Sequence, residues 1–265
     1  MTALPVFRRT LAESWRSLIG WGLGVVAALT LYLPLYPSIG ATGQMADIIE
    51  TLPPEMVNTF GFDQIATGAG YTQSTFFGLV GFVLLTIAAA NWGTSAIAGD
   101  EEKGGLELTL AHGVGRVQLV LERTAAVLVR IVALGALAFG LVLALNGPSE
   151  LELQAGDLLA GVVSWLALGV LTASIALAVG GLTGRASWAT LAAAGVAVAG
   201  YALNAIGNQN ADLEFLHAAS PYAWAFGTTP ISDGWDLGGL ALLGGSSLVL
   251  LVLATVGLAR RDIAT

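Results

Sequence analysis

Of the 265 residues, 55% are apolar and only 11% carry charge, against about a quarter charged in an ordinary soluble domain, so a soluble globular fold is excluded. The net charge of −8 argues against a nucleic-acid binder. Cysteine is absent, which removes both a disulfide framework and a thiolate metal site.

The apolar residues fall in blocks of about 20, the length that spans bilayer hydrocarbon at 1.5 Å per helical residue. The chain opens with Leu4, Phe7, Leu11, Trp15 and Leu18 on one helical face and Arg9, Glu13 and Arg16 opposite. That pattern predicts an interfacial helix over 3–16, with a helical extension of the first span as the competing reading. The first span covers about 17–36 and ends at Pro34 and Pro37; its apolar run is longer than the 7–15 residues of a cleaved signal peptide. A polar segment, 38–71, carries Asp47, Glu50, Glu55 and Asp63 and is broken by Pro53 and Pro54.

The second span covers about 76–98 and runs into the charged Asp100-Glu101-Glu102-Lys103. The third, about 124–145, closes at Asn146-Gly147-Pro148. The fourth, about 158–182, meets the fifth, about 186–206, through a tight Thr183-Gly184-Arg185 turn. An aromatic segment, 207–235, precedes the sixth span, about 237–259, and the chain ends in Arg260-Arg261-Asp262-Ile263-Ala264-Thr265. The fold class expected is therefore an all-α integral membrane protein with six transmembrane helices forming a single domain. All ten Lys and Arg residues fall on the amino-terminal side of the membrane or just inside a helix end. By the positive-inside rule both termini are cytoplasmic.

Few residues invite chemistry. A phosphate-cradling Gly-x-x-x-x-Gly-Lys-Ser/Thr motif is lacking, and no His pair has metal-ligand spacing. Ser95 has no histidine base at membrane depth, as a nucleophile requires, so it reads as packing. The six windows contain no Asp, Glu or His, which speaks against a proton-coupled transporter. Arg130 is the one charge at depth, and snorkelling to the inner interface is its simplest account. Asn91 and Trp92 in the second span and Asn204 in the fifth are polar features that either glue helices together or line a cavity.

The run from Ala98 to Arg116 resembles the loop between the second and third spans of ABC transporter permeases of the type-2 export class. That loop reads roughly Glu-x-Gly-Thr-Leu-Glu-x-Leu-Leu and then Pro-Val-Ser-Arg. Glu102, Gly104, Leu106, Glu107, Leu110, Val114 and Arg116 fall on matching positions, while Gly105, Gly113 and Gly115 replace the Thr, Pro and Ser. Ser220-Pro221-Tyr222 and the Arg260-Arg261-Asp262-Ile263 ending resemble the family as well.

The resemblance implies that 99–118 is a coupling loop containing a short helix that docks on an ATPase subunit. Leu106, Leu110 and Val114 would seat its apolar face, with Glu101, Glu102 and Glu107 at the rim and Arg116 closing the set. It further implies a second permease subunit, as homo- or heterodimer, with ATP and Mg held by the ATPase and no cofactor by this chain. The substrate, an exported small molecule or peptide, would pass near Asn91, Trp92 and Asn204, and the setting would be the plasma (inner) membrane. In such a protein 207–235 is either a re-entrant element or a plain interfacial loop broken at Pro221 and Pro230. A secondary transporter, an intramembrane enzyme and a non-transporting anchor for an ATPase are the competing functions.

Overall fold

The protein is represented by a computed structural model that describes residues 4–39, 65 and 67–261. The acids and prolines of 40–64, and Asp262 and Ile263, lie outside the described residues. The described residues contain no strand. The helices are α1 (Pro5–Tyr32), α2 (Gly68–Ala96), α3 (Gly105–Ala111), α4 (Arg116–Asn146), α5 (Ala155–Thr183), α6 (Ala186–Gly207), α7 (Pro221–Phe226) and α8 (Leu237–Arg260). Six of them, α1, α2, α4, α5, α6 and α8, are long and apolar enough to cross a membrane. The chain is a multi-pass membrane protein.

The helix ends differ from the sequence expectation, for local reasons. The interfacial helix expected over 3–16 is not a separate element. Nothing between Pro5 and Leu33 breaks the backbone, so the amphipathic start and the first span form one helix. Helix α2 begins eight residues before the expected Phe76 because the Thr67 side chain accepts from the Gly70 N–H at 3.0 Å and caps it. Helix α4 starts at Arg116, so its 31 residues reach about 46 Å, well beyond the hydrocarbon thickness of about 30 Å. The 183–185 turn forms as expected: Gly184 adopts φ +67° and donates to the Gly180 carbonyl at 2.8 Å.

Helix α5 is the central post, packed against α2, α4, α6 and α8. Its small residues let backbones approach, the main source of helix–helix affinity when lipid offers no hydrophobic contrast. A side chain at Gly93 of α2 would come within 2.6 Å of the Ala173 carbonyl oxygen, and one at Gly181 within 2.6 Å of the Ala254 carbonyl oxygen of α8. Toward the other end, Trp165 of α5 meets Phe76 and Phe77 of α2 at ring separations of 5.9 and 5.6 Å.

Residues 73–80 of α2 are π-helical, a local widening often found at functional sites. There the Gly78 carbonyl accepts from the Tyr222 hydroxyl at 2.8 Å, and Gln73 Oε1 accepts from the Ile231 N–H at 3.1 Å. The segment after α6 is thereby pinned to α2. It consists of short helical pieces; Pro221 and Pro230 each start one, as a residue without an N–H can. Helix α7 is wedged among α5, α6 and α8.

The close approach at Gly181 gives a direct check. Gly181→Leu should lose about 2–3 kcal/mol of stability through overpacking. Gly195→Leu, whose Cβ would meet nothing within 4 Å, should melt like the parent. Thermal unfolding of the purified variants in detergent reads the difference, and equal melting would refute the packing account.

Candidate functional site at the basic end of the bundle

Alternation of six spans brings six helix termini to one end: the starts of α1, α4 and α6 and the finishes of α2, α5 and α8. The first N–H groups and last C=O groups of a helix have no partner within it. In an apolar bundle these groups need side chains, and none of α1, α4 or α6 has a side-chain N-cap of its own.

The partners come from one stretch, residues 100–123. Glu122 Oε2 accepts from the Phe7 N–H of α1 at 2.9 Å, and its other oxygen accepts from Gln118 at 2.7 Å. Glu102 Oε1 accepts from the Ala186 N–H at the start of α6 at 2.8 Å. Arg123 donates to the Ala96 carbonyl that ends α2 and to Asp100, both at 2.6 Å. Arg116 donates to the carbonyls of Leu258, Ala259 and Arg261 at 3.2, 3.3 and 2.7 Å, closing the end of α8. Glu101 pairs with the Arg261 guanidinium. Anions thus sit at helix starts and cations at helix finishes, the favourable sense for the helix dipole. Four of the six spans are tied to this one stretch.

Between these ties lies α3. Gly104 and Gly113 bracket it at φ +73° and +81°, and the Gly113 N–H donates to the Leu110 carbonyl at 3.0 Å. Of the apolar face expected to meet a partner, Leu106 is turned fully inward and the other two residues partly so. Leu106 is 0% exposed, and Leu110 and Val114 pack on the chain's own core. The spacing of Leu106, Leu110 and Val114 defines one face, but the nearest apolar surface is the bundle itself. What α3 presents outward is Glu107, Leu108, Ala111 and His112, with Leu108 66% exposed. A groove of about 360 Å³ separates this helix from the first turns of α1; Leu108 and His112 line one wall, Pro5, Arg9 and Glu13 the other.

The three residues expected along a path do not come together. Asn91 is exposed on α2 and accepts from Ser95 at 3.1 Å. Trp92 points inward, 2% exposed, and its indole donates to Ser17 of α1 at 2.9 Å. Asn204 lies on α6, 14 residues beyond Thr190, which bonds Thr94 of α2 at 3.1 Å. Helix α2 runs the opposite way, so Asn91 lies three residues to the same side of Thr94 and Asn204 is about 16 Å from its level along the axis. His112 and His217 are far apart, the latter bonded to Asn208 at the opposite end of α6.

Two charges depart from the sequence reading. The extra turns of α4 take Glu122, 3% exposed, into a membrane-crossing helix, where the shorter window contained no carboxylate. Arg130 does lean toward the basic end, its Nε donating to the Ala126 carbonyl at 3.1 Å. It stops inside the bundle, 4% exposed, with its guanidinium 5.0 Å over the Trp92 ring.

A family model described as ABC-2 family transporter protein matches residues 4–263. No curated protein matches the chain.

The Arg123–Asp100 tie is testable by a double-mutant cycle. The guanidinium is nearly buried and its partner mostly so, so Arg123→Gln and Asp100→Asn should each destabilise the protein. Their coupling energy should be about 1–2 kcal/mol; additive losses in a denaturation series would refute the tie.

Proposed function

The chain belongs to the ABC-2 transporter family, and on that premise we propose that it is the membrane-spanning subunit of an ATP-driven exporter, worked from its basic end. The positive-inside rule makes that end cytoplasmic, in the plasma membrane. A separate ATPase subunit, which holds ATP and Mg, docks there on α3 and the adjoining groove.

One observation carries the reading: the charged stretch around α3 caps the ends of α1, α2, α6 and α8. A force applied to α3 is therefore delivered through short polar contacts to most of the bundle. The contact face consists of Glu107, Leu108, Ala111 and His112, with the rim of the groove supplied by Arg9 and Glu13. Glu101, Glu102 and Arg116 transmit the force inward, and the buried Leu106 with the half-buried Leu110 and Val114 roots the helix.

The substrate passes between two permease subunits, either identical or related. Leu79, Val83, Ile87, Asn91 and Ser95 recur every four residues and form one exposed stripe on α2. Its lower part is polar. A side-chain amide facing hydrocarbon is costly, so this stripe faces the partner subunit and the path. Trp92 belongs to the packing behind it. Closing of the ATPases around ATP moves α3 and, through the caps, tilts α2 and α6 between inward and outward access.

Leu108→Asp combined with Glu107→Arg should release the ATPase at least about tenfold in affinity, the effect of about 1.4 kcal/mol, while the chain still assembles in the membrane. Leu106→Asp should instead abolish folded protein, because it buries an unpaired charge. Co-purification and transport assays on the three samples distinguish these outcomes. Unchanged binding and flux in the double variant would end the docking assignment. The permease alone in vesicles should carry no solute.

A further inference from the structure

Among the described residues, Arg130 is a buried cation without an acid. Among the described residues its guanidinium makes one hydrogen bond, from Nε to the Ala126 carbonyl of its own helix, and lies over Trp92. No carboxylate pairs with it; the described ion pairs are Arg9–Glu13, Arg123–Asp100 and Arg261–Glu101. Its two terminal nitrogens have no partner among the described residues, yet neither is among the sealed, unsatisfied polar atoms. They are therefore not fully sealed and keep a little open space beside them.

That space lies where α1, α2 and α4 converge. Trp92 of α2 forms one wall and is held in place by its bond to Ser17 of α1 at 2.9 Å. The guanidinium is thus oriented by a fixed aromatic face on one side and a backbone carbonyl on another, with its planar fork left over. Such a fork matches phosphate oxygens in a bidentate manner.

Depth favours a group reaching in from the basic end. Arg130 is seven residues past Arg123, about 10 Å along the helix axis, and helical side chains lean toward the helix start. Arg123 leans the same way, so the head of Arg130 lies deeper than that of Arg123 by up to about 10 Å. Basic pockets between spans at that level suit anionic lipid headgroups.

We propose that Arg130, backed by Trp92, is a phosphate-binding site within the membrane-spanning region, filled either by the headgroup of an anionic lipid or by a soluble phosphate. The site is independent of ATPase docking on α3 and would persist in the chain alone.

Native mass spectrometry of the full chain with phosphatidylglycerol or phosphatidylcholine tests the lipid source. Thermal melting with inorganic phosphate tests the soluble one. The wild type should retain a phosphatidylglycerol that Arg130→Gln loses and Arg130→Lys holds about tenfold more weakly, with phosphatidylcholine showing no such contrast. If inorganic phosphate instead raises the wild-type melting temperature and leaves Arg130→Gln unmoved, the soluble source is the correct one. Equal behaviour of wild type and Arg130→Gln in both arms overturns the proposal and leaves the guanidinium satisfied by Trp92 and Ala126. Should the variants fail to fold, nitrogen–phosphorus dipolar NMR on the wild type in phosphatidylglycerol bilayers decides it. A guanidinium signal dephased by phosphorus supports the site, and no dephasing with either phosphate source overturns it.

Discussion

Helix ends set the terms for this structure. Six apolar helices can satisfy their own interiors, but each leaves unpaired backbone groups at its termini, and burial makes every unpaired group costly. At the basic end the partners come from residues 100–123, through Glu102, Arg116, Glu122 and Arg123. These side chains do with single contacts what local capping residues do elsewhere. The consequence is mechanical as well as energetic. The starts of α1 and α6 and the finishes of α2 and α8 cannot shift relative to residues 100–123 without breaking a charge-assisted hydrogen bond.

The other end is organised differently. There α2 is held by neutral contacts, Tyr222 to the Gly78 carbonyl and Gln73 to the Ile231 N–H, both within or at the start of its π-helical stretch. Tyr222 also stacks edge-on against Phe82 and Tyr201 at 5.2 and 5.1 Å. Helix α2 is consequently gripped at both ends, by ions at one and by an aromatic cluster at the other, while α5 behind it is fixed by backbone-to-backbone packing. The same helix thus joins the polar ties at Ala96 to the contacts with Tyr222 and Ile231 at its other end.

The number and order of the spans were legible because each rests on a run of about 20 apolar residues, a signal that needs no knowledge of neighbours. The helix ends were less so. The Thr67 cap and the unbroken backbone from Pro5 to Tyr32 are local features, but the amphipathic pattern of α1 fits a surface helix and a protruding span equally well. The contacts of the candidate site were beyond reach of any periodicity: Glu122 and Phe7 are 115 residues apart, Glu101 and Arg261 are 160. Leu106, Leu110 and Val114 show the limit most clearly. Their spacing identifies an apolar face, and only the fold reveals that the bundle rather than a partner covers it. Trp92 and Asn91 are neighbours in sequence and face opposite ways, one to Ser17 and Arg130, the other outward.

The three glycines that set this loop apart from the pattern it resembles illustrate how a stiff connection is made from flexible residues. Gly105 stands where a threonine is usual, and any Cβ there would collide with the Asp100 carboxylate; its absence is what lets Asp100 lie against the start of α3 and reach Arg123. Gly113 stands where a proline is usual. Its φ of +81° is closed to proline, and the N–H it donates to Leu110 is one that proline lacks. Gly115 is extended just before α4, a conformation open to any residue, and its carbonyl accepts from the Leu119 N–H at 2.9 Å. Read singly, each substitution loosens the loop. Read with Glu101, Glu102 and Arg116 bound to Arg261, Ala186 and the end of α8, the loop is held at several points, and Gly105 and Gly113 are what allow the chain to pass between those points without strain.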